Sequence, residues 1–313
     1  MDRALVLLNM GGPRNKEEFE MFLRNMFNDP NILTIKNGFL RSMVASLIVM
    51  MRKNKAWENY LEIGGSSPIN TLTQKLVEKL SYHMPDYYVT WAMRYTPPFA
   101  STVIKEIEAK GIQDIVLLPM YPQYSTTTTK SSVEDFIESA KGKNFNIKVI
   151  DRFYRNEFVN LSIVYSIRDT LLEVQSSEYN LIFSAHGLPQ KIVDNGDPYQ
   201  DEIKEHVRIL SEVLEYCRIP FKSIHLAYQS KVGPMKWLTP SLEDKLKEFK
   251  GEKVLIYPIS FTIDNSETVF ELAIEYKEIA HELGIKDYKV CKCENDSQRF
   301  VEAIIELVRG YKQ

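Results

Sequence analysis

Eight short apolar runs, rich in β-branched and aromatic side chains, recur along a chain whose intervening stretches carry apolar residues at helical spacing. They read ALVLLNM, VTWAMRY, DIVLLPMY, IKVIDRF, NLIFSAHG, IHLAYQS, KVLIYPIS and YKVCKCEN. Continuous apolar runs suit strands covered on both faces, as in parallel sheets, and the stretches between them predict crossover helices. Each half of the chain holds four runs. The third of each half carries a proline near its end, Pro119 and Pro258, so the halves read as a faint internal repeat.

This pattern predicts an α/β fold of two doubly wound domains, each a four-stranded parallel sheet flanked by helices. A single eight-stranded barrel has the same alternation, but the long helical insertion at 16–83 would distort it and is tolerable beside an open sheet. The expected boundary lies near Phe158. In either architecture ligands bind beyond the carboxyl ends of the strands, which directs the search for chemistry to the residues after each run.

His186 stands at such an end, in NLIFSAHG, with Gly187 and Pro189 behind it to turn the chain. A lone histidine is often structural, but this position presents a base whose ordinary pKa, about 6.5, lets it take and release protons near neutrality. His83, His206, His225 and His281 fall within helical or strand patterns and receive no role. After the seventh run, FTIDNSETVFELAIEYKEIAHE places Asp264, Glu267, Glu271, Glu275 and Glu278 at helical spacings of three and four. One reading is a solvated helix face. The other is an acidic ladder down which a hydrated dication descends, since like charges at this spacing repel unless a cation lies between them. One imidazole with Glu267, Asp264 and Glu271 suits a borderline dication such as Fe2+ held loosely enough to be handed on. Cys291 and Cys293, two apart, are expected merely to share one face of a strand.

Loops at 64–70, 121–132 and 229–240 supply polar groups, among them Ser67 and Ser125, that serve either as turn and cap residues or as contacts for anions. The stretch FLRSMVASLIVMMRKNK sets methionines among Arg41, Arg52, Lys53 and Lys55. It reads as core, or as a lip that meets a flat apolar ligand and the membrane interface.

The chain has 313 residues with 39 basic and 42 acidic side chains well mixed along it, so a polycationic surface for nucleic acid is not expected. Three cysteines are too few for a disulfide framework and one short of a four-thiolate cluster, in keeping with the reducing cytoplasm. The opening MDRALVLLNMGGP reads as a first strand and not as a signal peptide. Its longest apolar stretch, 43–51, falls well short of the roughly 20 residues that span a bilayer.

Seven strings in order, LNMGGP, IGGSSPIN, YPQYSTTT, FSAHGLP, GDPYQ, QSKVGPMKWL and FTIDNSETVFEL, resemble those of the ferrochelatases, and the resemblance covers nearly the whole chain. It implies two Rossmann-like, chelatase-type domains, 1–157 and 158–296, with a porphyrin cleft between them and a C-terminal helix, 297–313, that packs back on the first. It further implies insertion of Fe2+ into protoporphyrin IX to give haem, with His186 and Glu267 facing each other across the pocket. Met10 matches a methionine over the porphyrin where coproporphyrin-using relatives usually carry tyrosine. Arg52, Lys55 and Ser67 align with propionate contacts, and Arg94, Tyr95, Tyr121 and Trp237 with the cleft wall. Edge contacts from Met10, Tyr121, Trp237 and the lip are expected to bend the ring. Asn265 replaces a histidine found in many members, and no iron–sulfur cluster is expected, since the chain lacks a cysteine-rich tail. Rival readings are a chelatase for another tetrapyrrole and a non-catalytic haem- or iron-binding protein.

Overall fold

All eight apolar runs form strands, and the strands divide into two sheets rather than one barrel. β1 (Arg3–Asn9), β2 (Tyr87–Met93), β3 (Asp114–Pro119) and β4 (Asn146–Val149) pair in the order β2-β1-β3-β4, all parallel. β5 (Tyr179–His186), β6 (Ser223–Gln229), β7 (Lys253–Pro258) and β8 (Asp287–Val290) repeat that order as β6-β5-β7-β8, again all parallel. This computed structural model describes every residue except Glu173, Val232, Pro234, Lys312 and Gln313. Two residues of the QSKVGPMKWL string, Val232 and Pro234, and the last two of the expected C-terminal helix therefore lie outside the described residues.

The chain divides into two compact units, one of Met1–Arg152 with Val308–Gln313 and the other of Phe153–Leu307. In the first, Ala4, Val6 and Leu8 of β1 pack with Val103, Ile104, Ile107 and Phe136 from the crossover helices. In the second, Ile182, Val254 and Ile256 pack with Leu242, Leu246, Leu272 and Ala280. Central strands are thus buried on both faces, which is why their sequences run apolar without alternation.

The internal repeat extends to register. Leu8 pairs with Ala92 and Pro119, and Ser184 pairs with Ala227 and Pro258, so Met10 corresponds to His186, and Arg94-Tyr95 to Gln229-Ser230. In each unit a π-helical segment follows the third strand, Thr126–Lys130 and Glu267–Glu275. An order of 2-1-3-4 puts the topological switch between the first and third strands, and ligand crevices open at the carboxyl ends there.

Three helices occupy the insertion between β1 and β2: α1 (Lys16–Asn28), α2 (Gly38–Glu62) and α3 (Ile69–His83). Asn15 and Asn37 cap the first two through their side chains. The core reading of the methionine-rich stretch does not hold. Although α2 buries Ala45, Val49 and Tyr60, it leaves Phe39 at 78%, Met43 at 55% and Met51 at 66% exposed, with Leu40, Leu47 and Met50 also open to solvent. Twenty-five residues of helix packed mainly along α1 leave much of its surface without a covering layer. No helix among the described residues is long and apolar enough to cross a membrane.

β8 stops at Val290, earlier than its apolar run, so Cys291 and Cys293 follow the strand instead of sharing one of its faces. Both are buried, and burial pushes the Cys291 thiol up to about 12. Nearby Glu294 is 3% exposed, its Oε2 accepting from Ser162 while Oε1 has no partner. Desolvation raises its carboxyl from 4.5 to about 7. A folded-state pKa above the unfolded one means that its contribution to stability is intact below about pH 4.5 and is lost as pH rises through 7. That loss amounts to about 3 kcal/mol. Glu294→Gln is therefore expected to flatten the decline in stability between pH 5 and 7 seen by denaturant titration. An unchanged slope would show that Glu294 is charged without cost.

Candidate active site

His186 ends β5 with both backbone groups tied down. Its N–H donates to Ser260 Oγ (3.0 Å), its carbonyl accepts from the Tyr199 hydroxyl (2.9 Å), and that hydroxyl lies 2.7 Å from Ser260 Oγ. This three-residue cycle fixes the strand end before the chain turns at Gly187. A Cβ on Gly187 would stand 2.6 Å from the backbone oxygen of Gln229, and the Gly187 N–H already donates to that oxygen (2.9 Å). Only glycine fits so close to the end of β6, where the neighbour is backbone and cannot yield.

The imidazole meets Glu267 directly, with Nδ1 2.8 Å from Oε2. His186 and Glu267 both belong to the second unit, and their side chains are 34% and 23% exposed. This corrects the expectation that they face each other across a porphyrin: a hydrogen bond leaves no room for a ring between them. The reason is topological. Glu267 opens the π-helical segment after β7, and β7 neighbours β5 across the switch, so both residues arrive at one crevice. A carboxylate on Nδ1 keeps the proton there in the neutral ring and leaves the Nε2 lone pair outward as the base. Burial alone would lower the His186 pKa, but the charge and hydrogen bond of Glu267, with Glu271 behind it, outweigh burial and raise it above the ordinary value.

Glu271 stands beside this pair. Its Oε1 accepts from the Ser230 N–H (2.7 Å), and its Oε2 accepts from the Ser230 hydroxyl (2.6 Å) and the Gln229 amide (3.4 Å). Burial pushes the Glu271 carboxyl up to about 7, the Glu267 charge adds to the rise, and the Ser230 bonds pull against it. The expected ladder is otherwise broken. Asp264 turns into the interior, where its carboxylate accepts from the Thr268 hydroxyl (2.9 Å), the Asn295 amide (2.7 Å) and the Cys293 N–H (3.2 Å). Glu275 and Glu278 are exposed. Hydrogen bonds of the i→i+5 kind widen the turn, so α-helical spacing does not carry over from Glu267 to Glu278. Among the described residues, no three His, Cys, Asp or Glu side chains are grouped to cage a metal. Asn265 accepts from the Glu267 N–H (2.8 Å) and so starts the π-helical segment.

Of the substrate contacts implied by the resemblance, Trp237 lies in the second unit, bridged to Pro189 and close to Gly187. The remainder lie in the first unit. Met10 is half-buried against the cluster of Phe19, Phe22 and Tyr95, and Arg52 and Lys55 are exposed on α2. Ser67 is buried under Gly12, where an added Cβ would meet it at 2.5 Å. Arg94 and Tyr95 are spent inside the unit. The guanidinium contacts Asp29 (3.1 Å), Asp135 (3.3 Å) and Ser131 (3.0 Å), while the Tyr95 hydroxyl donates to Asp29 (3.0 Å). Tyr121 is buried with its hydroxyl 3.3 Å from Ser132 Oγ, and Ser125 caps the first π-helical segment. Sequence reasoning singled out neither Ser230, Gln229, Ser260 nor Tyr199. For Gln229, Ser230 and Ser260 the available signal was position at or just past a strand end, whereas Tyr199 opens a later helix and carried none.

Two open four-stranded parallel sheets flanked by helices are the chelatase class of fold. SirB from Bacillus subtilis, solved with Fe3+, shares it: the TM-score is 0.59 over 99% of this chain and 95% of that one, and at 12% identity the likeness concerns fold alone. The family described as Ferrochelatase matches residues 2–311. The chain is 54% identical over 307 residues to the ferrochelatase of a Nitratiruptor species, covering 97% of this chain and 98% of the relative. Identity to the Sulfurimonas denitrificans ferrochelatase is 53% over 308 residues, with 97% of each chain covered. The chain belongs to the ferrochelatase family, and it is a metal-inserting porphyrin chelatase of haem biosynthesis, with a porphyrin and iron as its substrates.

Proposed function

We propose that the chain inserts Fe2+ into protoporphyrin IX, with His186 as acceptor of the pyrrole protons and Glu267 as the group that orients it. The 2.8 Å contact between Nδ1 and Glu267 Oε2 at the end of β5 carries this reading. Insertion breaks two pyrrole N–H bonds, forms the Fe–N bonds and releases two protons, with no change in oxidation state. His186 Nε2 takes a proton as the ring is metallated, and the Glu267 carboxylate stabilises the imidazolium. That carboxylate raises the basicity of the ring and so strengthens its outward lone pair as a proton acceptor. Glu271 adds its charge to that of Glu267 in raising the basicity of the ring.

The resemblance matches Met10 to a porphyrin contact, and an apolar side chain there supports protoporphyrin over the more acidic coproporphyrin. The exposed Phe39, Met43 and Met51 row of α2, with Arg52 and Lys55 at its far end, supports peripheral contact with a membrane surface on the cytoplasmic side. The reading calls for no resident cofactor, since three cysteines are one short of a cluster's four thiolates. Fe2+ insertion measured anaerobically with protoporphyrin IX, coproporphyrin III and sirohydrochlorin is expected to give the highest kcat/KM with protoporphyrin IX. Preference for either of the other rings would overturn the substrate assignment.

A further inference from the structure

Ser230 adopts φ +66°, the left-handed region that non-glycine residues enter rarely. Such a residue beside a reactive group is a place to look for function, because the surrounding structure must hold it there. Here the unusual backbone aims both donors of one residue at one acceptor group. The N–H reaches Glu271 Oε1 at 2.7 Å and the hydroxyl reaches Oε2 at 2.6 Å, while the same hydroxyl is 3.4 Å from Glu267 Oε2. Gln229 extends the contact, its amide nitrogen toward Glu271 (3.4 Å) and its oxygen accepting from Ser184 Oγ of β5 (2.7 Å).

Two carboxylates so close to one imidazole compete for it, and their mutual repulsion tends to swing one of them away. A donor pair committed to Glu271 resolves the competition, leaving Glu267 Oε2 on His186 Nδ1. The first unit repeats the arrangement with different chemistry. Arg94 and Tyr95, the register counterparts of Gln229 and Ser230, also reach one side chain on the helical stretch after the third strand: Arg94 Nε donates to Ser131 Oγ (3.0 Å), and the Tyr95 hydroxyl lies 3.5 Å from it. Residues just past the second strand therefore hold the following helical segment in both units, and in the second unit the held group is a carboxylate beside His186.

We propose that Ser230 is a positioning residue for metal insertion, its N–H and hydroxyl holding the Glu271 carboxylate so that Glu267 is left to orient His186. This rests on the reading of His186 and Glu267 as the reacting pair. Two variants separate the hydroxyl from the backbone. Ser230→Ala deletes the hydroxyl and keeps the backbone demand, whereas Ser230→Gly deletes the same hydroxyl and accepts φ +66° without strain. Both are expected to lower kcat for Fe2+ insertion about tenfold or more, as loss of a hydrogen bond to a charged group does. KM for protoporphyrin IX should be unchanged, and the glycine variant should melt no lower than wild type. Wild-type kcat in both variants, or in the glycine variant alone, would overturn the assignment, as would a rise in the porphyrin KM that accounts for the whole loss. His186→Ala is the control: if it loses activity while Ser230→Ala does not, only the role of Ser230 falls, and if it keeps activity the reading of the whole site falls.

Discussion

His186→Ala is expected to lower kcat for Fe2+ insertion into protoporphyrin IX by about a hundredfold to ten-thousandfold, the span that a positioned general base contributes. Porphyrin affinity should change little. The imidazole presents one outward nitrogen, and its backbone is tied by Ser260 and Tyr199 whatever side chain follows, so the variant removes the base without loosening the strand end. Equilibrium quenching of porphyrin fluorescence and anaerobic single-turnover insertion measure the two quantities separately. Near-wild-type insertion with binding intact would remove His186 from the reaction.

Glu267→Gln probes the other half of the pair, and its expected effect has two parts. The amide keeps the shape and can still accept from Nδ1, but it cannot neutralise an imidazolium, so kcat should fall about tenfold to a hundredfold, less than for His186→Ala. The second part is a shift along the pH axis. Glu267 raises the His186 pKa, and only the neutral imidazole accepts a proton, so activity falls as pH drops through that pKa. Removing the charge lowers the pKa and moves the acidic limb of the kcat profile to lower pH. A profile shifted upward, or unshifted, would mean that Glu267 does not govern the basicity of His186.

Much of this architecture was legible in the sequence because its evidence is local. Eight apolar runs marked eight strands, since a strand sealed on both faces needs no polar alternation. Pro119 and Pro258 marked the repeat that the register makes explicit. His186 was found because a strand end followed by glycine and proline is a position, not merely a residue type. What failed was geometry that one dimension does not encode. Spacing placed Asp264 with Glu267 on a regular helix, but Asp264 precedes the helical segment, and Asn295, far along the chain, claims its carboxylate. The hydrogen bond between His186 and Glu267 depends on β7 lying next to β5, a fact of strand order that the sequence leaves open. Ser230 escaped notice because a left-handed backbone at serine carries no compositional mark, where a glycine would have drawn attention. The α2 row was ambiguous for another reason: methionine and leucine look alike in a core and on a lip, and only the absence of a covering layer distinguishes them.

The matched register of the two sheets bears on how such a protein acquires its chemistry. Met10 and His186 occupy one address in a shared plan, as do Tyr95 and Ser230, while the apolar interiors behind them are built alike. A new reaction on this plan requires rewriting a few letters at the strand tips, and the interior that sustains folding need not be touched. Scaffold and reactivity can then drift at separate rates within a single polypeptide, one half carrying a histidine at the address where the other carries a methionine.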